Sequence, residues 1–366
     1  MSAGLYVHIP FCLTRCGYCD FNAYAGLDEL KPRYVRALER EASFAAPDWP
    51  ERFVSIFLGG GTPTSLDPGN LATFLASLRE TFDIEPDAEI TIEANPDTVD
   101  TGRLRALQNA GYRRLSIGAQ SFDPAVLWAL ERTHQPESVR SAYAAARAAG
   151  YDNLNLDLIY GANGESLSSW RTTLEETIAL APEHVSAYAL TIEDATPLGR
   201  KVAAGIVAAP DPDLQADMFE LACELLGDAG YLHYEVSNWA KPGSECRHNL
   251  GYWERRPYLG LGAGAHSSRG NRRWWNLRPP EQYLQAVETR TLPVGGSEEL
   301  DDADRNLEET FLRLRTRQGV EAEPAIAARA ARYVDDGLLE RRNGSFVATE
   351  RGMLLLNELV LGLTAR

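Results

Sequence analysis

The sequence predicts an α/β fold: a partial (β/α)6 barrel, an α/β extension, and a small C-terminal domain that is helical and winged-helix-like. Two observations predict the barrel. First, six short runs rich in aliphatic residues alternate with segments of helical pattern; they span residues 5–10, 54–58, 89–93, 114–118, 153–160 and 184–191. Second, the intervening segments carry helix start and stop signals. Six such units in series favour a parallel sheet covered by helices.

The helix signals lie between the predicted strands. Asp67 and Asp123 are each followed by a proline, the arrangement of an N-cap before a proline in the first turn. The alanine-rich run 138–149 stops at Gly150, a residue that commonly ends helices. In β/α barrels the chemistry lies at the carboxyl ends of the strands. We therefore expect the polar residues that follow these strands to meet at one mouth.

Composition narrows the classes of function. The chain has 366 residues, 36 Lys and Arg against 52 Asp and Glu, and a formal net charge of −16. This balance repels a phosphate backbone, so a general nucleic-acid binder is disfavoured. The first residues lack the basic and apolar regions of a signal peptide, and no apolar run reaches membrane-spanning length. We expect a cytoplasmic protein without an integral membrane segment.

Three of the five cysteines, Cys12, Cys16 and Cys19, follow the first predicted strand with C-x3-C-x2-C spacing. Three thiolates on a four-iron cluster leave one iron open to a small molecule. Zinc is the alternative, and it needs a fourth protein ligand. The candidates for that ligand are His8, His233 and Cys246. An odd number of cysteines argues against a disulfide framework.

The ends of the other predicted strands also carry glycine or polar residues. These are the triplet Gly59-Gly60-Gly61 with Thr62, then Glu93 and Asn95, Gln120, Asp157, and Tyr188, Thr191 and Glu193. The glycine triplet lets a ligand approach the backbone closely, but it lacks the Gly-Lys-Ser/Thr of a P-loop. Asp157 lies in a strand too apolar for an unpartnered acid, so we expect it to face the mouth.

Together these motifs resemble the radical S-adenosylmethionine superfamily and, within it, the oxygen-independent coproporphyrinogen III oxidase family. Further runs that match are 116–122, 157–161, 234–238 and 349–352, so the resemblance covers nearly the whole chain. It implies that the three cysteines hold a [4Fe–4S] cluster whose open iron chelates S-adenosylmethionine. By position, it implies these contacts to S-adenosylmethionine: Tyr6, Tyr18, Gly60, Gly61, Thr62, Glu93, Gln120, Arg132 and Asp157.

Two sequence features distinguish the branches of this family, and this chain lacks both of those that mark the oxidases. The decarboxylating oxidases carry a fourth cysteine two residues after the third and a long N-terminal extension. Here that position is Phe21, and eleven residues precede Cys12. The chain therefore resembles the haem-chaperone branch, the HemW type, whose His-Asn-x-x-Tyr-Trp signature appears at 248–253. The resemblance implies haem contacts by His248, Asn249, Tyr252 and Trp253.

The segment 246–278 supports a tetrapyrrole ligand on chemical grounds. It holds seven arginines and one acid, Glu254, with five interleaved aromatic residues. Arginine pairs with carboxylates such as haem propionates, and neutral imidazole is a common iron ligand. Several alternatives stay open: another tetrapyrrole carboxylate, single-stranded nucleic acid, and a purely structural His248. Cys246 is either a second haem ligand or an inert buried thiol.

Three functions follow from these patterns. The favoured one is a haem chaperone that binds the cluster, S-adenosylmethionine and haem and passes haem to acceptor proteins; a homodimer is compatible with it. The alternative is oxidative decarboxylation of coproporphyrinogen III, and a radical enzyme acting on RNA ranks third. The expected domains are the barrel at 1–210, the sheet extension with the haem-binding segment at 211–295, and the C-terminal module at 296–366, with 293–297 as a linker.

Overall fold

A twelve-stranded sheet organises the computed structural model, which describes residues 2–364. The strands, in chain order, are β1 Ser2–Ile9, β2 Phe11–Cys12, β3 Tyr24–Ala25, β4 Arg52–Gly60, β5 Ile84–Ala94, β6 Arg114–Gln120, β7 Asn153–Tyr160, β8 His184–Ala189, β9 Leu232–Glu235, β10 Asn238–Ala240, β11 Tyr258–Leu261, β12 His266–Arg269, β13 Arg272–Asn276, β14 Val294–Glu299, β15 Val320–Glu321, β16 Leu339–Arg342 and β17 Ser345–Ala348. The helices are α1 Lys31–Ala45, α2 Pro68–Thr81, α3 Thr101–Ala110, α4 Pro124–Ala129, α5 Pro136–Ala149, α6 Leu167–Leu180, α7 Pro197–Ala203, α8 Pro212–Asp228, α9 Arg247–Trp253, α10 Pro280–Glu288, α11 Asp302–Leu314, α12 Pro324–Asp335, α13 Glu350–Leu354 and α14 Leu356–Thr364.

Six of these strands form the parallel centre of the sheet, in the order β1-β4-β5-β6-β7-β8. They coincide with the six strands that the sequence predicts, with small differences at their ends. Leu5 pairs with Ile56, which pairs with Ile90, and all three side chains are buried. Burial on both faces of the sheet explains why these strands are continuous apolar runs. The α/β class and the partial barrel are confirmed.

The helix signals between the strands are also confirmed. Asp67 accepts a hydrogen bond from the backbone N–H of Asn70 at the start of α2, and Asp123 accepts one from Ala125 at the start of α4. Gly150 ends α5 with a φ of 97°, a left-handed conformation that costs glycine little. These caps fix the lengths of the helices that connect consecutive parallel strands.

The chain after α8 extends the sheet at both of its edges. β10 and β9 add antiparallel strands beside β8, whereas β11 pairs in parallel with β1 and leads to antiparallel β12, β13 and β14. The interpretation of 293–297 as a linker is wrong, because Val294–Glu299 form the edge strand β14. Its glycines have a packing reason: a Cβ on Gly296 would lie 2.5 Å from the indole of Trp275. The expected boundary between residues 295 and 296 falls inside this strand.

The C-terminal part has the expected helices and hairpin. α11, α12, α13 and α14 accompany a three-stranded sheet of order β15-β17-β16, an arrangement that resembles a winged helix. An ion pair between Arg315 and Glu235, at 3.1 Å, and a β-bridge between Glu235 and Thr316 attach this part to β9 of the main sheet. Among residues 2–364, no helix has the length and apolar character needed to cross a bilayer.

Candidate functional site

A cavity of about 430 Å³ opens at the carboxyl ends of the six parallel strands. Residues after β1, β4, β5, β6, β7 and β8 all contribute to its walls, as expected for a β/α barrel. Three features line it together: the three half-buried cysteines, the end of the glycine turn, and the polar residues of the strand ends. The predicted residues that line it are Cys12, Cys16, Tyr18, Cys19, Gly60, Gly61, Thr62, Glu93, Asn95, Gln120, Arg132, Asp157, Tyr188, Thr191 and Glu193.

The cysteine loop is held in place by backbone hydrogen bonds to neighbouring segments. The N–H of Thr62 donates to the carbonyl of Phe11, and the N–H of Leu198 donates to the carbonyl of Gly17. Within the loop, the N–H of Cys19 donates to the carbonyl of Cys16. The three thiols are therefore presented to one cavity by a loop that is held at its start and again at Gly17.

Hydrogen-bond donors face two of the three sulfurs. Thr62 Oγ1 lies 3.7 Å from Cys12 Sγ, and Arg132 Nη1 lies 3.5 Å from Cys16 Sγ. Burial raises the pKa of Cys12 and raises that of Cys19 to about 11. At Cys12 the Thr62 hydroxyl and the charge of Arg132 partly offset this cost and favour the thiolate, the form that ligates metal. The donor set therefore fits an iron–sulfur cluster held by three cysteines.

The zinc alternative lacks each of the three side chains that the sequence offers as its fourth ligand. His8 has both ring nitrogens in hydrogen bonds, to Tyr6 and to the carbonyl of Asn22. Cys246 donates to Glu89, and His233 lies beside Cys223. None of the three candidates lines the cavity, and within residues 2–364 its walls contain no histidine and no fourth cysteine. A four-coordinate zinc at these cysteines would therefore have to take a carboxylate of the cavity wall, whereas structural zinc sites use cysteine and histidine.

Two half-buried carboxylates also line the cavity, Glu93 and Asp157. Glu93 accepts the N–H of Gly60 at 3.1 Å, and Asp157 accepts from Ser116 at 2.7 Å and from Asn155 at 2.8 Å. Burial, and then the negative charge of Asp157, raises the pKa of Glu93 to about 8. Burial also raises the pKa of Asp157. Two acids in this environment favour a cationic ligand, and S-adenosylmethionine carries an ammonium and a sulfonium.

In the glycine turn, the N–H groups of Gly60 and Gly61 donate hydrogen bonds to other residues of the protein. The N–H of Gly60 goes to Glu93, and that of Gly61 goes to the carbonyl of Ile9. In this conformation a ligand would reach either N–H group only by displacing the partner that it already has. Gly60 has a φ of 108°, and a Cβ there would lie 2.3 Å from the ring of His8.

Tyr6 is the predicted contact that the cavity does not include. Its hydroxyl lies 3.0 Å from His8 Nδ1, and its ring packs on Phe57 beneath the cavity floor. Conversely, the sequence analysis missed Arg114, which is buried at the start of β6 and whose charge acts on both Glu93 and Asp157. Its signal was an arginine at the start of an otherwise apolar strand.

The His-Asn-x-x-Tyr-Trp signature forms helix α9, away from the cavity. His248 is 3% exposed; its Nδ1 lies 2.9 Å from Ser55 Oγ, and its Nε2 lies 3.0 Å from the hydroxyl of Tyr252. Burial lowers the pKa of His248 to about 3, and the charge of Arg114 acts in the same direction. In this conformation the imidazole is a neutral, fully hydrogen-bonded part of the barrel interior.

The rest of the signature ties this interior to neighbouring units. Glu89 of β5 accepts from the N–H groups of Arg247 and His248 and from the thiol of Cys246. The guanidinium of Arg315 lies 4.4 Å from the ring centre of Trp253. Helix α9 therefore links β4 and β5 to the residue that follows α11.

The arginine-rich segment is not an open basic surface. Four of its seven arginines form ion pairs, and three of the acids involved come from outside the segment: Arg255 with Glu308, Arg256 with Glu254, Arg269 with Glu51, and Arg273 with Glu298 and Glu308. The three acids from outside the segment offset half of the net positive charge of 246–278. This weakens the support for single-stranded nucleic acid as a ligand.

Comparisons with known proteins agree with this architecture. The radical SAM superfamily model matches residues 6–177. The heme chaperone HemW of Mycobacterium tuberculosis strain H37Rv is 43% identical over 364 residues, covering 98% of this chain and 93% of that protein. The heme chaperone HemW of Bacillus subtilis strain 168 is 33% identical and covers 97% of both. A solved structure of coproporphyrinogen III oxidase (HemN) from Escherichia coli aligns with a TM-score of 0.85 at 25% identity, covering 99% of this chain and 90% of that one.

Proposed function

Because this chain belongs to the heme chaperone HemW family, within the radical SAM superfamily, we propose that it is a haem chaperone that binds haem and delivers it to acceptor proteins. The observation that carries the proposal is 43% identity to a heme chaperone over 98% of the chain. Phe21 adds to it, because this exposed cavity residue occupies the position where the resemblance to the oxidases would require a cysteine.

The radical SAM domain implies a [4Fe–4S] cluster and S-adenosylmethionine. We assign the cluster to Cys12, Cys16 and Cys19, which leaves one iron for the methionyl amino and carboxylate groups. Reduced clusters of this kind supply an electron that can cleave the sulfonium. Glu93 and Asp157 would accept from the amino or hydroxyl groups of S-adenosylmethionine, and Gly60 and Gly61 would offer backbone groups.

The remaining assignments surround the same ligand. Tyr18, Thr62, Gln120 and Arg132 form the walls, and Tyr6 supports the floor through its bond to His8. Arg132 also keeps a positive charge beside Cys16. The assignment of haem contacts to His248, Asn249, Tyr252 and Trp253 stays a prediction. To ligate iron, His248 would have to give up its bond to Ser55 or to Tyr252.

Anaerobic reconstitution followed by parallel titration with haem and with coproporphyrinogen III tests the proposal. We expect a brown protein with about four irons and four sulfides per chain and one haem bound per chain. Transfer of that haem to an apo-acceptor such as a haem-depleted cytochrome would complete the test. A colourless, zinc-loaded protein would refute the cluster assignment, and failure to bind haem would refute the chaperone.

Decarboxylation of coproporphyrinogen III is the second candidate function. One observation favours it, the TM-score of 0.85 to the coproporphyrinogen III oxidase structure over 99% of the chain. The same reconstituted protein, given S-adenosylmethionine and a reductant, distinguishes the two. Formation of protoporphyrinogen at a rate that scales with protein would establish the oxidase, whereas haem binding without turnover supports the chaperone.

A further inference from the structure

We propose that His266, rather than His248, is the protein ligand that reaches the haem iron. This inference rests on the proposed haem-binding function and names the side chain that would carry it. An axial ligand must present an unbonded ring nitrogen to a planar macrocycle several ångströms across. The exposure of each imidazole and the hydrogen bonds of its ring nitrogens therefore decide which histidine can bind the haem iron.

Residues 2–364 include all six histidines of the chain, and five of them are excluded. Each of the five is at most 6% exposed, and each has both ring nitrogens in hydrogen bonds. They are His8, His134, His184, His233 and His248. A macrocycle could reach these imidazoles only by displacing packed core residues and leaving their partners unsatisfied, at about 1–3 kcal/mol for each group.

His266 is different on both counts. It lies at the start of β12, its side chain is exposed, and neither ring nitrogen has a hydrogen-bond partner within residues 2–364. Burial of part of the ring and the nearby charge of Arg278 lower its pKa, which keeps the imidazole neutral near pH 7. A neutral imidazole offers iron the lone pair that ligation requires.

The neighbouring strands hold the His266 ring in a defined orientation. Trp275 is its register partner on β13; the two ring centres are 5.7 Å apart and the rings are inclined by 28°. Gly296 is the partner of Trp275 on β14, and it leaves the space that the indole occupies. The indole therefore restricts rotation of the imidazole, which costs less entropy when the ligand bond forms.

Arg278 supplies the charge that a propionate needs. It is exposed and forms no ion pair within the described part of the chain, unlike Arg273 on the same sheet face, which pairs with two glutamates. Its charge helps to lower the pKa of His266, so the guanidinium lies near enough to influence the imidazole. An imidazole for iron and an unpaired arginine for a carboxylate form the minimal pair that recognises haem.

This location places haem beside the cysteine loop. The Asn22 amide donates to the carbonyls of Ala263 and Arg278, at 2.9 Å and 2.8 Å. Asn22 directly follows Phe21, which lines the cavity and is 62% exposed. The loop that carries the cluster cysteines and the turns that flank His266 are thus joined by one side chain.

Titration of the reconstituted full-length chain with ferric haem, followed by absorption and electron paramagnetic resonance, tests the inference. We expect H266A to bind haem about tenfold or more weakly, with a shifted Soret band, and added imidazole to restore the wild-type spectrum. We expect R278A to weaken binding without changing the spectrum. R272A is its matched control, because Arg272 is exposed on β13 but points to the opposite sheet face from His266.

The outcomes separate this inference from the proposed function. If the wild-type chain binds no haem, the chaperone function fails and the ligand assignment fails with it. If H266A keeps the wild-type affinity and spectrum, the assignment to His266 is overturned while the chaperone stands. If H248A folds, keeps its cluster iron and loses the ligand band while H266A does not, His248 is the ligand. The His266 side chain makes no hydrogen bond within residues 2–364, so H266A is expected to fold.

Discussion

Arg132 connects the cluster loop to the fourth parallel strand. Its Nη1 lies 3.5 Å from Cys16 Sγ, and its Nη2 donates to the carbonyl of Gly118 at 3.1 Å. A cation fixed beside a ligating thiolate stabilises the more negative state of whatever that thiolate binds. The guanidinium is therefore placed to make the cluster easier to reduce.

Replacing Arg132 tests this relationship. We expect R132Q to lower the reduction potential of the reconstituted cluster, because a positive charge beside the sulfur is lost. A redox titration followed by electron paramagnetic resonance measures the change. R140Q is the control, since Arg140 pairs with Glu137 and Glu176 at the surface. An unchanged potential in R132Q would show that the charge does not act on the cluster.

The cysteine assignment predicts a selective loss of iron. We expect C12S, C16S or C19S each to remove most of the iron and sulfide retained after anaerobic reconstitution, because two thiolates hold a cluster poorly. C223S is the matched control: Cys223 is a buried free thiol outside the cavity, so its variant should keep the full iron content. Equal iron loss in all four variants would contradict the assignment.

An alanine at Gly60 is expected to cause both a steric clash and backbone strain. An alanine at Gly230 causes the strain alone, so the two variants separate the effects. We expect G60A to lose S-adenosylmethionine binding and about 1–3 kcal/mol of stability, because its methyl group would overlap the His8 ring. Gly230 has a φ of 84° with open space around it, so G230A carries the backbone strain alone. Isothermal titration and thermal unfolding compare the two. Equal effects would mean that the contact with His8 is unimportant.

The buried Glu41 predicts a pH dependence of stability. It accepts hydrogen bonds from Gly262, Asn276 and Tyr283, yet burial raises its pKa to about 7. Because the folded state holds this proton more tightly than the unfolded state, its contribution is present below about pH 4.5 and is lost as the pH rises toward 7. We expect E41Q to flatten the decline of the unfolding midpoint between pH 5 and pH 7, measured by thermal unfolding. Parallel profiles for E41Q and wild type would contradict the assignment.

The structure predicts that His248 acts mainly in folding. We expect H248A to lose about 2–4 kcal/mol of stability, because it leaves a cavity and unpairs the hydroxyls of Ser55 and Tyr252. N249A is the matched control within the same helix: Asn249 is half-buried, and its side chain makes no hydrogen bond within residues 2–364. Chemical unfolding measures both. Full stability of H248A would show that the packing around this imidazole is not needed.

The strands, the helix caps and the cysteine loop were predictable because their signals are local. The prediction that Asp157 faces the mouth was possible because it is the single acid in an apolar strand. The features that the sequence does not reveal are those that depend on contacts between distant segments. The arginines of 246–278 meet Glu51, Glu298 and Glu308 only in the folded chain. Likewise, the burial of His248 and the exposure of His266 come from tertiary packing, so the sequence could not rank them.

Beneath the cavity, Tyr6 packs on Phe57 and Phe57 packs on His248, which fills the barrel on the side opposite the cysteines. We therefore expect a ligand of the cavity to enter and leave at the end of the barrel where the cysteine loop lies. Haem at the location inferred above would lie beside that loop, and we expect it to slow the exchange of S-adenosylmethionine.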